Sequence, residues 1–298
     1  MFRGAYTALI TPLRHDRLDE PALVRLVEQQ ISAGIDGLVP CGTTGEASTL
    51  SMTEHLRVVE LTVQTAAGRV PVLAGAASND TRTAVELARA CKQLGAAGTL
   101  QVTPYYNRPT QDGLIAHFSA IAEGSELPVV VYNVPGRTGV DLLPETVAIL
   151  ARHKRIVGIK EATGDMVRLS RICELLGADD RLDQFTLLSG DDFTLLPFLA
   201  LGGHGVISVT SNVAPAWLSA LCHAAAAGRW DEARALHYKQ LPLARALFGQ
   251  PNPIPVKSAM ALLGRCTAEM RLPLLSIDPQ TREGQALSDA LQTLGLLS

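Results

Sequence analysis

Ile156-Val157-Gly158-Ile159-Lys160 is the stretch from which the fold can be read. No polar residue interrupts 156–159, so the run lacks the alternation of a half-exposed strand. A strand covered on both faces reads this way, and parallel sheets are built from such strands. Comparable runs recur at 5–11, 37–41, 70–74, 98–103, 128–133, 185–189 and 205–209. Amphipathic segments separate them. Residues 20–33 put Leu23, Leu26, Val27 and Ile31 on one helical face, and 53–67 do the same with Leu56, Val59 and Val63. Asn79-Asp80-Thr81 is a helix start ahead of 84–94. Eight strand–helix units in about 225 residues match the count and length of a (β/α)8 TIM barrel. A doubly wound open sheet shares the alternation and is the competing reading. Beyond Gly228 the strand signal stops. Residues 230–248, 256–263 and 284–294 read as helices, with Pro251-Asn252-Pro253 breaking the first from the second. The expected architecture is an α/β barrel over 1–227 with a C-terminal helical appendage over 228–298 packed on it.

The 298 residues are 47% apolar and 18% charged, enough to bury a sizeable core. A net charge of −3 offers no basic field for nucleic acid or an anionic membrane surface. The N-terminal apolar stretch is closed by Pro12 and is too short for a signal sequence. Nor is any apolar run long enough to span a membrane. The cysteines (Cys41, Cys91, Cys173, Cys222 and Cys266) are widely spaced and odd in number, which fits a reducing cytoplasm and no disulfide framework. The histidines show neither HxH nor HExxH spacing, so no metal site is expected.

Catalytic groups of such a barrel stand where strands end. Lys160 ends the run at 156–160 and Tyr132 lies at the end of 128–133. Burial at a strand end lowers a lysine's pKa and frees its amine to attack a carbonyl. An ion pair with Glu161 or Asp192 is the ordinary alternative. A phenol beside such a lysine can move protons during imine formation, though a core tyrosine with a satisfied hydroxyl is commoner. Gly42-Thr43-Thr44-Gly45-Glu46 offers two hydroxyls and free amides to a carboxylate, or is a plain turn. Arg137, after Pro135-Gly136, can clamp a second carboxylate or make a surface salt bridge. Asp191-Asp192 reads as the cap of the following helix. Gly202-Gly203-His204-Gly205 precedes a strand and reads as a tight turn, not a phosphate loop.

Together, Gly42-Thr43-Thr44-Gly45-Glu46, Tyr132-Asn133-Val134-Pro135-Gly136-Arg137-Thr138-Gly139 and Gly158-Ile159-Lys160-Glu161-Ala162-Thr163-Gly164 resemble the dihydrodipicolinate synthases. These belong to the pyruvate-dependent class I aldolases, with N-acetylneuraminate lyase. The likeness runs from Gly4 to about Leu296 and includes Thr103-Pro104-Tyr105-Tyr106-Asn107, Leu188-Ser189-Gly190-Asp191-Asp192, 205–210 and 252–257. The resemblance implies an imine between Lys160 and pyruvate, with no other cofactor. It implies a proton relay of Tyr132, Thr43 and Tyr106, the last reaching in from a neighbouring subunit of a homotetramer. It gives Thr43 and Thr44 the pyruvate carboxylate, Arg137 the carboxylate of L-aspartate 4-semialdehyde, and the Gly190 and Ile207 carbonyls further substrate contacts. Sialate lyases and sugar-acid aldolases commonly carry GSTGE and a different loop at Arg137, so this chain's GTTGE and arginine favour the synthase. A sibling lyase acting on another 2-oxo acid or aldehyde, and a non-catalytic barrel kept for binding, are the alternatives.

The resemblance also implies a lysine-binding regulatory site, and here the chain departs from the pattern. His55, Asn79 and Tyr105 are retained. Met52 replaces a histidine, Thr83 replaces a glutamate, and Ala47-Ser48 reverses the small pair. Weak or absent feedback by lysine is expected.

Overall fold

The structure is a computed structural model and describes residues 2–297. Eight parallel strands form the barrel: β1 (Gly4–Ala8), β2 (Gly37–Val39), β3 (Leu73–Gly75), β4 (Gly98–Val102), β5 (Val129–Asn133), β6 (Ile156–Glu161), β7 (Thr186–Ser189) and β8 (Gly205–Ser208). They pair in the order β2-β1-β8-β7-β6-β5-β4-β3. A parallel bridge between Leu38 and Val72 joins the two ends of that order, which makes the sheet a (β/α)8 TIM barrel and excludes the open sheet. The third run was expected at 70–74 and forms a few residues later. Pro71 at its head has no amide to give, and its carbonyl instead accepts from the Leu38 amide at 3.1 Å.

The outer helices are α1 (Glu20–Ser32), α2 (Met52–Ala66), α3 (Thr81–Gln93), α4 (Gln111–Ser125), α5 (Pro144–Leu150), α6 (Met166–Ala178), α7 (Leu195–Ala200) and α8 (Pro215–Ala226). Local chemistry sets their starts. The Asp80 carboxylate accepts from the Thr83 amide, and Ser51 and Glu54 form a reciprocal capping box. Strand residues divide by parity. Ala5, Leu38, Ala74, Val131, Ile159 and Leu187 pack outward on the helices. Tyr6, Val39, Leu73, Leu100, Tyr132, Leu188 and Ile207 fill the interior.

Helices α9 (Trp230–Leu247), α10 (Ile254–Leu262) and α11 (Arg282–Thr293) follow the last barrel unit. Leu243, Leu247, Val256, Met260, Leu287 and Leu291 share a separate core with Ile10, Leu26 and Val209 of the barrel. Among the described residues no helix is long and apolar enough to cross a membrane.

Candidate active site

Strands β5 and β6 are neighbours, and their register sets Tyr132 opposite Lys160. Val131 and Ile159 take the helix-facing side, so the phenol and the amine both turn inward. Lys160 is buried, with Nζ 4.2 Å from the centre of the Tyr132 ring. Burial pulls its pKa down to about 7. The Asp192 charge opposes that fall and the Arg137 guanidinium adds to it. Burial also raises the Tyr132 phenol, partly offset by Arg137 and by a hydrogen bond with Thr43.

The ordinary reading of Lys160 fails on geometry. Glu161 faces the helix layer, where it accepts from Arg168 Nε at 2.8 Å and the Thr163 amide at 2.9 Å. Asp192 is not the helix cap expected of it. Asp191 caps that turn, accepting from the Thr194 amide at 3.1 Å. Asp192 instead reaches across to the end of β8, where the Val209 and Thr210 amides donate to it at 3.1 and 3.0 Å. Among the described residues neither carboxylate forms an ion pair with Lys160.

The loop after β2 is held tightly from below. Gly75 lies so close that a Cβ there would fall 2.2 Å from the Cys41 carbonyl oxygen. The loop's own turn uses the Gly45, Glu46 and Ala47 amides, leaving those of Thr43 and Thr44 without an acceptor among the described residues. Glu46 has a positive φ of 55° and turns its side chain into the protein, onto Lys257 of α10. Both side chains of this ion pair are buried, at 0% and 1% exposure.

Arg137 stands on a helical turn, Pro135–Thr138, and donates to the Asn252 carbonyl at 3.2 Å. Asn252 Nδ2 in turn donates to Thr44 Oγ1 at 3.0 Å. One residue of the helical appendage therefore braces both candidate carboxylate holders. The guanidinium meets no carboxylate among the described residues, so its charge is available to a ligand.

These groups enclose a cavity of about 190 Å³ lined by Thr43, Thr44, Tyr132, Arg137, Lys160 and Gly190, among others. Gly190 is needed for its lack of a side chain. A Cβ there would stand 2.5 Å from that of Ala162 and 2.9 Å from Lys160 Cε. Two expected residues are not on this wall. Ile207 lies in the barrel interior, and Val209 lines the cavity in its place. Tyr106 is 91% exposed and does not reach the cavity of its own chain. Asn252 and the Glu46–Lys257 pair were not anticipated from sequence. The signal for the pair was a lysine inside 254–260, a stretch with no other charged residue that proves wholly buried.

The dihydrodipicolinate synthetase family profile matches residues 1–293. The chain belongs to this family. It is 52% identical over 297 residues to the 4-hydroxy-tetrahydrodipicolinate synthase of Nitratidesulfovibrio vulgaris, covering 99% of each chain. Dihydrodipicolinate synthase of Thermotoga maritima superposes with a TM-score of 0.96 at 43% identity, over the whole of both chains. The Acinetobacter baumannii enzyme, solved in complex with pyruvate, superposes with a TM-score of 0.95 at 44% identity, again over both whole chains.

Within this dihydrodipicolinate synthetase frame, a second cavity of about 480 Å³ shares Thr43, Tyr132 and Arg137 with the first. It gathers the other residues singled out from sequence. Ala47, His55, Thr83 and Tyr105 lie on its wall, and Asn79 Nδ2 holds the Tyr105 carbonyl at 3.2 Å. His55 Nε2 donates to the Gly75 carbonyl at 2.7 Å, and burial lowers its pKa. Thr83 turns its hydroxyl back to Asp80 at 2.7 Å. No Asp or Glu stands among the described lining residues.

Proposed function

We propose that this chain condenses pyruvate with L-aspartate 4-semialdehyde through an imine on Lys160, giving 4-hydroxy-tetrahydrodipicolinate and water. The observation that carries the reading is a buried strand-end amine with its pKa near 7, facing a buried phenol and, among the described residues, in no ion pair with a carboxylate. The Lys160 amine attacks C2 of pyruvate. One amine proton and the Tyr132 proton leave with the ketone oxygen as water, so Nζ keeps one hydrogen and a positive charge. The resulting phenolate takes a proton from C3 and leaves an enamine. The enamine attacks the aldehyde carbon, which restores the iminium, and the aldehyde oxygen takes the Tyr132 proton to become a hydroxyl. The substrate's own neutral amine then adds at C2 and closes the ring; it passes one proton to Nζ, so that Lys160 leaves as the neutral amine, and a second to the Tyr132 phenolate. The Thr43 and Thr44 amides suit the pyruvate carboxylate, and Arg137 suits the second carboxylate. Such a reaction belongs in the cytoplasm with other amino-acid biosynthesis.

Incubation with pyruvate and borohydride tests this directly. A mass increase mapped to Lys160 is the expected result, and no adduct there ends the proposal. Added aspartate semialdehyde, with a reductase that consumes the product and NADPH, then decides the acceptor. A flat absorbance trace would favour a sibling lyase. Trapping requires the free amine, which exists above its pKa. The trapping rate at saturating borohydride should therefore rise through a midpoint near pH 7 and level off above it. A midpoint near the ordinary lysine value of about 10.4 would contradict the burial argument.

Tyr106 completes the relay from a neighbouring subunit, within a homotetramer built as a dimer of dimers. Its side chain has nothing to do in its own chain's cavity, being exposed at the surface. Tyr106→Phe should lower kcat by about 10²-fold, within the range of general acid–base catalysis. Mixed with Lys160→Ala and allowed to exchange subunits, it should regain activity, because hybrid dimers contain one site with both residues intact. Mixtures that stay inactive would remove the cross-subunit role.

Among the described residues, the second cavity has no carboxylate on its wall to meet an ammonium. Turnover should be insensitive to sub-millimolar L-lysine in a steady-state assay, and inhibition in that range would refute this.

A further inference from the structure

Tyr132 and Lys160 stand opposite each other across the β5–β6 pair, and so do the residues that follow them, Asn133 and Glu161. Strand alternation sends the first pair into the barrel and the second pair out toward the helix layer. There the second pair is joined. Asn133 Nδ2 donates to Glu161 Oε2 at 3.2 Å and to Asp141 Oδ1 at 2.9 Å, and Asn133 Oδ1 accepts from the Leu142 amide at 3.0 Å. Arg168, in the first turn of α6, closes the group. Its Nε donates to Glu161 Oε2 at 2.8 Å, its Nη1 to Asp141 Oδ2 at 2.9 Å, and its Nη2 to the Leu142 carbonyl. The Arg168 and Glu161 side chains are 10% and 2% exposed. Among the described residues, none of the buried polar side-chain atoms of this group lacks a hydrogen-bond partner.

We propose that Arg168 is a positioning residue for catalysis, holding the Tyr132 phenol opposite the Lys160 amine from the outer side of the barrel wall. This rests on the roles of Lys160 and Tyr132 given above. Each anchor of the guanidinium lies next to the chemistry in sequence or leads away from it. Glu161 follows Lys160, Asn133 follows Tyr132, and Asp141 and Leu142 end the segment by which the chain leaves β5. A slip or roll of one strand against the other would therefore break contacts on the outer face as it moved the phenol on the inner one. Backbone pairing does not guard against this alone, because the β5–β6 ladder shifts register between Val129 and Val130, just before the phenol. The Arg168 group pins the pair beyond that shift. A planar guanidinium suits the task, since its donors leave at fixed angles and reach three acceptors at once.

The step most exposed to misplacement is proton transfer at C3. The phenolate must lie within hydrogen-bond reach of that carbon while the imine holds it, and an error of about 1 Å can cost up to about 10²-fold. A buried ion pair that served stability alone would have no such link to the proton.

The test is Arg168→Gln, which removes the fork and the charge and keeps a polar side chain. The readout is exchange of the pyruvate methyl protons in D2O, followed by proton NMR with no aldehyde present. In that exchange the Tyr132 phenolate takes a proton from C3 and the C–H electron pair becomes the enamine double bond. A solvent deuteron then returns to C3 through the phenol. The rate is divided by the number of lysines that pyruvate and borohydride label, so that only chains with a competent Lys160 are counted. The rate per labelled Lys160 should fall about tenfold, with labelling retained. A role in stability alone would lower Tm and leave that rate unchanged, so a folded Arg168→Gln with the wild-type rate overturns the proposal. Should that variant not fold, Asp141→Ala decides. The Asp141 side chain is 38% exposed and bridges Asn133 to Arg168, so its removal cuts the group without stranding a fully buried charge. The rate per labelled lysine should then fall about threefold, and a wild-type rate would overturn the proposal. A wild-type chain that pyruvate and borohydride do not label would instead refute the imine itself, and this proposal with it.

Discussion

Lys160→Met should lose more than about 10⁴-fold in kcat/KM and at the same time melt higher than the wild-type chain. The loss corresponds to about 5.5 kcal/mol of transition-state stabilisation and follows from removing the proposed nucleophile. The gain follows from burial. The amine is held inside the barrel near pKa 7 without a carboxylate bonded to it, so the folded state carries a group that prefers water. A thioether of similar length removes that penalty, and strained functional groups replaced by apolar ones commonly stabilise. Calorimetric melting at pH 7 beside a steady-state assay separates the two effects. A variant that is both inactive and less stable would mean that Lys160 helps hold the barrel together.

The same substitution at the other buried lysine should have the opposite sign. Lys257→Met leaves Glu46 as a buried carboxylate without its cation. Breaking a buried pair from one side costs about 3–5 kcal/mol, because the remaining charge has no solvent. Tm should fall by about 5–15 °C on that basis. Adding Glu46→Gln should recover most of the loss, since the stranded charge disappears with it. Activity of the folded fraction should fall as well, because Glu46 closes the loop that carries Thr43 and Thr44. A Lys257→Met protein with wild-type Tm would show that the pair contributes nothing to stability.

The two lysines also mark what the sequence can reveal. Lys160 was legible because one local pattern carries it. An unbroken apolar run ends in a charge, and the neighbouring run ends in Tyr132. The barrel was legible for the same reason, since two-sided burial leaves runs without alternation. Closure was not legible, because it rests on the Leu38–Val72 bridge and the Gly75 amide's hydrogen bond to the Pro40 carbonyl, between strands at opposite ends of the pairing order. The Glu46–Lys257 pair was hidden by distance, its partners being 211 residues apart. Asn252 read only as part of a Pro-Asn-Pro break, whereas its position between Thr44 and Arg137 needs the appendage to be folded onto the barrel. Asp192 was read as a cap because an aspartate pair before a helix nearly always suggests one. Its actual partners lie 17 and 18 residues on, at the end of the next strand.

That separation of 211 residues is also an interval of time. At roughly 5–20 residues per second, a ribosome needs about 10–40 s to travel from the codon for Glu46 to that for Lys257. Throughout that interval the nascent chain contains the loop that carries Thr43 and Thr44, with the Glu46 carboxylate lacking its cation. Asn252 is also still to come, so Thr44 and Arg137 have no brace. Lys160 is synthesised well before either. The growing polypeptide therefore acquires its proposed nucleophile before the residues that brace the cavity around it, and the site is finished only once residues 252–257 have been made.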